Sequence, residues 1–181
     1  MHASIADVIA GTAQNSIEAG AKNIAVSLME DGKYVSVSID DDGKGMDEAT
    51  RKRVFDPFFT EEGKHDRRKV GLGLPILKQL CEATGGDLEL KSEKGVGTSL
   101  RYRFEAGHLD LPPMGDIAGM ALSLFNYPGA FELKFSHRRL AEEYSVSRTE
   151  LCDALGSLDS VENLVLAREF LESQEESLKL Q

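Results

Sequence analysis

Hydrophobic and polar positions recur along this chain with two different periods, and the switches between them divide it into elements. Over residues 4–19, Ile5, Val8, Ile9, Ala13 and Ile17 fall at helical spacing, and Ser4 followed by Asp7 is a start signal. Gly11 and Asn15 lie one turn apart, so they share a face of that helix, and Gly20 is placed to stop it. Residues 23–29 and 34–39 alternate apolar with polar around Asp31-Gly32, which predicts a hairpin. A short helix is expected over residues 47–54, then a loop over 55–70. A second long helix is expected over 72–83, stopped by Gly85-Gly86. Strands follow at 87–91 and 98–104, joined by Gly95-Val96-Gly97. This order predicts an α+β fold, a two-layer α/β sandwich with its helices on one face of a mixed sheet.

Leu111-Pro112-Pro113 marks a boundary, dividing the chain into units 1–107 and 108–181. Beyond it the pattern gives an apolar helix over 117–125, broken by Asn126-Tyr127-Pro128-Gly129. One strand carries Phe131, Leu133 and Phe135, and a second carries Tyr144 and Val146. Helices over 148–155 and 161–172 complete this small extension, and residues 173–181 are expected to fray. The extension either packs on the sheet or forms a module of its own.

With 181 residues, 41% hydrophobic and 29% charged, the chain can bury one good core and a smaller appendage. Its net charge of −10 argues against a nucleic-acid surface. The charge is uneven: residues 1–107 hold 15 Lys+Arg against 18 Asp+Glu, and residues 108–181 hold 6 against 13. No apolar run reaches the length of a membrane span and no signal peptide opens the chain, so a cytoplasmic protein is expected. Cys81 and Cys152 lie in unlike contexts, which reads as two reduced thiols, and the histidines make no metal-ligand pattern.

Candidate chemistry concentrates between Asp40 and Leu74. Asp41 ends a strand and is followed by Gly43 and Gly45. A fixed carboxylate accepts a hydrogen bond from the exocyclic amine of adenine and repels the carbonyl that guanine carries there. Gly71-Leu72-Gly73-Leu74 opens a helix, where free N–H groups favour phosphate, and Lys64, Arg67, Arg68 and Lys69 precede it. Asn15 is a polar residue on an otherwise apolar helix, and its amide oxygen suits Mg²⁺. Taken singly, these fit an acidic turn, a solvated loop and a surface asparagine equally well, and Gly95-Val96-Gly97-Thr98 fits a plain hairpin turn. Taken in this order they point to a nucleotide.

The order resembles the ATP-binding domain shared by gyrase, the heat-shock chaperone of the same fold, histidine kinases and MutL-type mismatch-repair proteins. Gln14-Asn15-Ser16-Ile17-Glu18-Ala19-Gly20-Ala21 resembles the asparagine box, and Asp41-Asp42-Gly43-Lys44-Gly45-Met46 the first glycine box. Phe55-Asp56-Pro57-Phe58-Phe59-Thr60 resembles the phenylalanine box of histidine kinases, and Gly71-Leu72-Gly73-Leu74 the second glycine box. Lys91 to Thr98 resembles the end of the kinase domain. The resemblance covers about the first 105 residues and implies the Bergerat-type ATP-binding fold, with nucleotide under a mobile lid. It implies that Asn15 holds Mg²⁺ and Asp41 the adenine, and that Gly43, Gly45, Met46 and Thr98 line the base pocket. Phe58 would lie near the lid. Gly71, Leu72, Gly73 and Leu74 would meet the phosphates, with Lys64 and Lys69 reaching them from the lid.

Three departures shape the expected function. Members that hydrolyse ATP carry a glutamate four residues before the asparagine, and this chain has Gly11 there, so an autonomous ATPase is not expected. Lys69 stands where the second glycine box usually begins with glycine. No acceptor-histidine hairpin precedes the asparagine box. No catalytic residue is therefore assigned. The expectation is a Mg-ATP-binding, histidine-kinase-like module that phosphorylates or regulates a separate protein partner. The alternative is a nucleotide-gated binding module with little turnover.

Overall fold

The structure is a computed structural model, and it describes residues 4–56 and 73–179. The first helix, α1 (Ile5–Glu18), begins where the sequence signals it. Ser4 is the N-cap, its hydroxyl oxygen accepts the Asp7 N–H, and its own proton goes to the Asp7 carboxylate. Strands β1 (Asn23–Glu30) and β2 (Tyr34–Asp41) form the expected hairpin, and the Asp31 carboxylate ties its turn by accepting from the Lys33 and Tyr34 N–H groups. The short α2 (Glu48–Arg53) starts from Asp47 as N-cap. Next come α3 (Gly73–Ala83), β3 (Asp87–Glu93) and β4 (Gly97–Glu105).

Residues beyond 108 continue the same sheet. The apolar α4 (Ile117–Phe125) leads into β5 (Glu132–Arg139) and β6 (Glu142–Ser147), followed by α5 (Arg148–Leu155) and α6 (Val161–Ser177). The sheet has six strands in the order β3-β4-β2-β1-β5-β6. Among the described strands only β1 and β5 run parallel, with β2 through α4 lying between them in the chain; every other neighbouring pair is antiparallel.

One face of this sheet is dry. Ile24, Val26 and Leu28, then Val35, Val37 and Ile39, then Leu100, Tyr102 and Phe104, then Leu133 and Phe135 point to the helices and are buried. Residues between them, such as Ser27, Ser36, Ser38, Arg101 and Ser136, face the other way and stay partly or fully open. Helices α3, α1, α4 and α6 cover the dry face, and the buried residues of both halves of the chain make one continuous cluster. This is the two-layer α+β sandwich expected from the order of periods.

The C-terminal helix differs from expectation. Residues from 173 onward, expected to fray, stay helical to Ser177, and Glu175 and Leu178 are buried. The α1 start is also joined to the later half of the chain. The Ile5 and Ala6 N–H groups, which no turn of helix can satisfy, donate to the carbonyls of Pro113 and Met114. Among the described residues no helix is long and apolar enough to cross a membrane.

Candidate functional site

The candidate site sits at the end of the sheet where β2 finishes and β4 begins. Asp41 and Thr98 face each other across the β2–β4 ladder, so their side chains emerge together on the helix-covered face. The Asp41 carboxylate is fixed from two sides. One oxygen accepts the Ser16 hydroxyl of α1 at 2.5 Å, and the other accepts the Gly43 N–H at 2.9 Å. Two donors fix the orientation of the group, and each oxygen keeps a lone pair for a ligand.

Its neighbour Asp42 points elsewhere. Its carboxylate takes the Lys22 and Asn23 N–H groups and the Asn23 amide, which hold it below the usual carboxylate range, Asn23 contributing most. Asp41 therefore faces the site, and Asp42 clamps the loop onto the α1–β1 turn. The Lys44 N–H adds to that clamp by donating to the Ala19 carbonyl.

Two glycines let this loop and the β3–β4 turn interlock. A Cβ on Gly45 would lie 1.9 Å from the Glu93 carbonyl oxygen, and Gly45 has φ +59°. A Cβ on Gly97 would lie 2.0 Å from the Asp41 carbonyl oxygen, at φ +140°. The Gly95 N–H also donates to the Lys44 carbonyl. Gly95-Val96-Gly97 is thus more than a hairpin turn: it forms the floor under the acidic loop.

The floor carries a hydroxyl pair, Thr98 with Ser92, and of the two Ser92 was not singled out from the sequence. Ser92 of β3 accepts the Met46 N–H at 2.9 Å, lies 2.9 Å from the Thr98 hydroxyl, and reaches the Gly97 carbonyl at 3.1 Å. Ser16 was missed in the same way. Both stand inside quoted motif stretches, one residue after Asn15 and one after Lys91, and only the fold shows that they touch Asp41 and Thr98.

The structure brings Asp41, Gly43, Gly45, Met46 and Thr98 together, with Ser16 and Ser92 added. Asn15 lies on α1 beside Ser16, half-buried, and its side-chain amide has no hydrogen-bond partner among the described residues. Gly73 opens α3 with no described residue within 4 Å of where a Cβ would stand, and Leu74 is packed against the core. Phe58, Lys64, Lys69, Gly71 and Leu72 lie outside the described residues. Among the described residues no group of three or more His, Cys, Asp or Glu could hold a metal ion. Gly11, one turn before Asn15, supplies no side chain.

Residues 3–108 match the family model described as histidine kinase-, DNA gyrase B- and HSP90-like ATPase. The chain belongs to this family. The matched segment is more than half of the chain, and it is an ATP-binding domain of the histidine-kinase type. Among relatives, the sensor histidine kinase WalK of Bacillus subtilis is 29% identical over 98 residues, 53% of this chain and 16% of that protein. The heme sensor protein HssS of Staphylococcus saprophyticus is 30% identical over 105 residues, 58% of this chain and 22% of its own. The sensor histidine kinase RcsC of Escherichia coli is 31% identical over 101 residues, 54% and 10% respectively. The chain therefore spans less than a quarter of the length of these relatives. A solved structure titled as the N-terminal domain of a DNA repair protein shares the fold, with TM-score 0.59 and 13% identity over 85% of this chain and 57% of that one.

Proposed function

We infer that this protein is a Mg-ATP-binding, histidine-kinase-like module that phosphorylates or regulates a separate protein partner. The observation that carries the reading is the Asp41 carboxylate, fixed by Ser16 and the Gly43 N–H beside Thr98. An oriented acceptor next to a hydroxyl matches the adjacent amine and ring nitrogen of adenine and opposes the guanine carbonyl. Asn15, one residue along the same helix, supports a magnesium role: it offers one neutral oxygen that no described residue occupies. Mg²⁺ needs little more from the protein, since phosphates and water complete its shell. Bound there, it would neutralise phosphate charge during transfer.

An acceptor outside the described residues is supported by the described histidines. His137 is 2% exposed, with both ring nitrogens hydrogen-bonded. His108 follows the far end of β4, about 25 Å from Thr98 at the usual strand rise. Neither can receive a phosphoryl group from this site. A second reading, a nucleotide-gated binding module, is favoured by Gly11, which leaves α1 with no group one turn before Asn15 to activate water.

Calorimetry with ATP and ADP, beside a labelled-ATP assay with candidate acceptor proteins, separates these readings. Binding with acid-labile label on a partner supports the kinase. Binding with neither transfer nor hydrolysis supports the gated module. Asp41→Ala should abolish binding; if it binds ATP like the parent, the adenine pocket is misassigned.

A further inference from the structure

Ser92 contacts no part of the Asp41 carboxylate, yet three of its neighbours build the base pocket. Its oxygen accepts the Met46 N–H, which uses one lone pair. Its single proton then has two possible acceptors, the Gly97 carbonyl at 3.1 Å and the Thr98 oxygen at 2.9 Å. At the Ser92–Thr98 contact either oxygen can be the donor. Two arrangements of the protons are open. In one, Thr98 donates to Ser92 and Ser92 donates to Gly97, so that Thr98 shows only lone pairs to the pocket. In the other, Ser92 donates to Thr98, and the Thr98 proton is free to point at a ligand.

The second arrangement is the one that suits adenine. Beside its amine donor, adenine carries a ring nitrogen, N1, that accepts. Asp41 meets the amine as an acceptor, so the neighbouring Thr98 must meet N1 as a donor, directly or through one water. Asp41 and Thr98 are opposite one another, about 5 Å apart at Cβ, close enough for the two groups to read adjacent atoms of one ring.

We propose that Ser92 is a positioning residue for base recognition: by donating its proton to Thr98 it turns the Thr98 hydroxyl outward to read the purine N1. This deepens the ATP-binding reading and rests on it. On binding, the hydroxyl pair reverses, and Ser92 releases the Gly97 carbonyl to direct its proton at Thr98. The residue adds specificity without touching the base.

The test measures affinity for ATP and for 1-deaza-ATP, which lacks the N1 acceptor, using the full chain and Mg²⁺. The native protein should prefer ATP by about fivefold or more, the worth of one hydrogen bond. In Ser92→Ala that preference should collapse to the level of Thr98→Val, and the double variant should lose no more than either single one. Ser92→Thr, which keeps the hydroxyl, should retain it. A melting curve for each variant separates weakened binding from lost structure, and the ratio of the two affinities is unaffected by a uniform loss. If Ser92→Ala binds both nucleotides more weakly but keeps the native ratio, Ser92 only supports the Met46 loop and the proposal is wrong. A native protein that binds ATP without preferring it over 1-deaza-ATP also overturns it. If the native protein binds neither, the ATP-binding reading itself fails and takes this proposal with it.

Discussion

Replacing Glu175 with glutamine should loosen α6 in acid and near neutrality, and should cost little in alkaline solution. His137 lies on the dry face of β5 with its Nδ1 2.8 Å from Glu175 Oε1 and its Nε2 3.1 Å from Glu30 Oε1. A neutral imidazole donates from only one nitrogen, and an ionised carboxylate only accepts, so both contacts are satisfied together by the imidazolium. The Tyr144 hydroxyl donates to the same Glu175 oxygen at 2.5 Å. Burial is the largest single influence on His137 and opposes its charge. The hydrogen bonds and charges of Glu175 and Glu30 outweigh it together and raise the histidine above 6.5. Glu30 is lowered below 4.5, chiefly by its bond to His137, helped by Arg139 and Lys179. Burial and the Glu175 bond push Tyr144 upward, so it remains a neutral donor.

The sign follows from these directions. A raised histidine stabilises fully below its unfolded value of 6.5, and that contribution is lost as pH rises through its folded pKa. A lowered glutamate stabilises above 4.5 and loses its contribution as pH falls through its folded pKa. The cluster is therefore strongest between 4.5 and 6.5. Glu175→Gln keeps the shape and the acceptor oxygen but removes the charge beside a cation, a change worth about 1.5–3 kcal/mol. For a domain of this size that is a fall in Tm of roughly 3–12 °C. Urea titrations of parent and variant at about pH 6 and about pH 9 should show a gap at the first that narrows at the second. An equal gap at both would mean that His137 is neutral throughout, and the charged-cluster argument would fail.

The other substitutions test the site and the packing. Asp41→Asn keeps the size of the side chain and removes its charge, and should weaken ATP by about 10- to 150-fold in calorimetry while leaving the fold intact. Gly45→Ala places a Cβ 1.9 Å from the Glu93 carbonyl at a positive φ, so a melting curve should show destabilisation by about 2 kcal/mol or more together with lost nucleotide binding. Leu171→Ala removes a side chain of 0% exposure between α6 and the core, and denaturant unfolding should register a loss of about 2–5 kcal/mol.

The elements that could be read from sequence are those whose signals are local. The Ser4 cap, the Asp31-Gly32 hairpin and the apolar α4 depend on neighbours within a turn or two, and each lies within a residue or two of its expected bounds. Asp41 and Thr98 were legible because their motifs occur in a fixed order. Their supports were not: Ser16 reaches Asp41 across 25 positions, and Ser92 reaches Met46 across 46. A serine inside a motif stretch carries no periodic or compositional mark of its own; the β3–β4 register sets Ser92 opposite Thr98, and the packing of α1 brings Ser16 to Asp41.

The fate of residues 173–181 makes the same point from the other side. Residues 173–181, polar from Ser173 to Ser177 with two acids and a glutamine among those five, read as a frayed end. Two buried side chains hold it: Leu178 joins the core, and the Glu175 carboxylate meets His137 38 positions back and Tyr144 31 positions back, on adjacent strands. Those strands are in place because β5 pairs with β1, and β1 begins at the Lys22–Asn23 turn that Asp42 clamps. The Glu132 N–H donates to the Lys22 carbonyl at that same turn. The acidic loop of the candidate site and the start of β5 thus grip one short segment from opposite sides. The loop that carries base-pocket residues also fixes, through Asp42, where the later half of the chain joins the sheet.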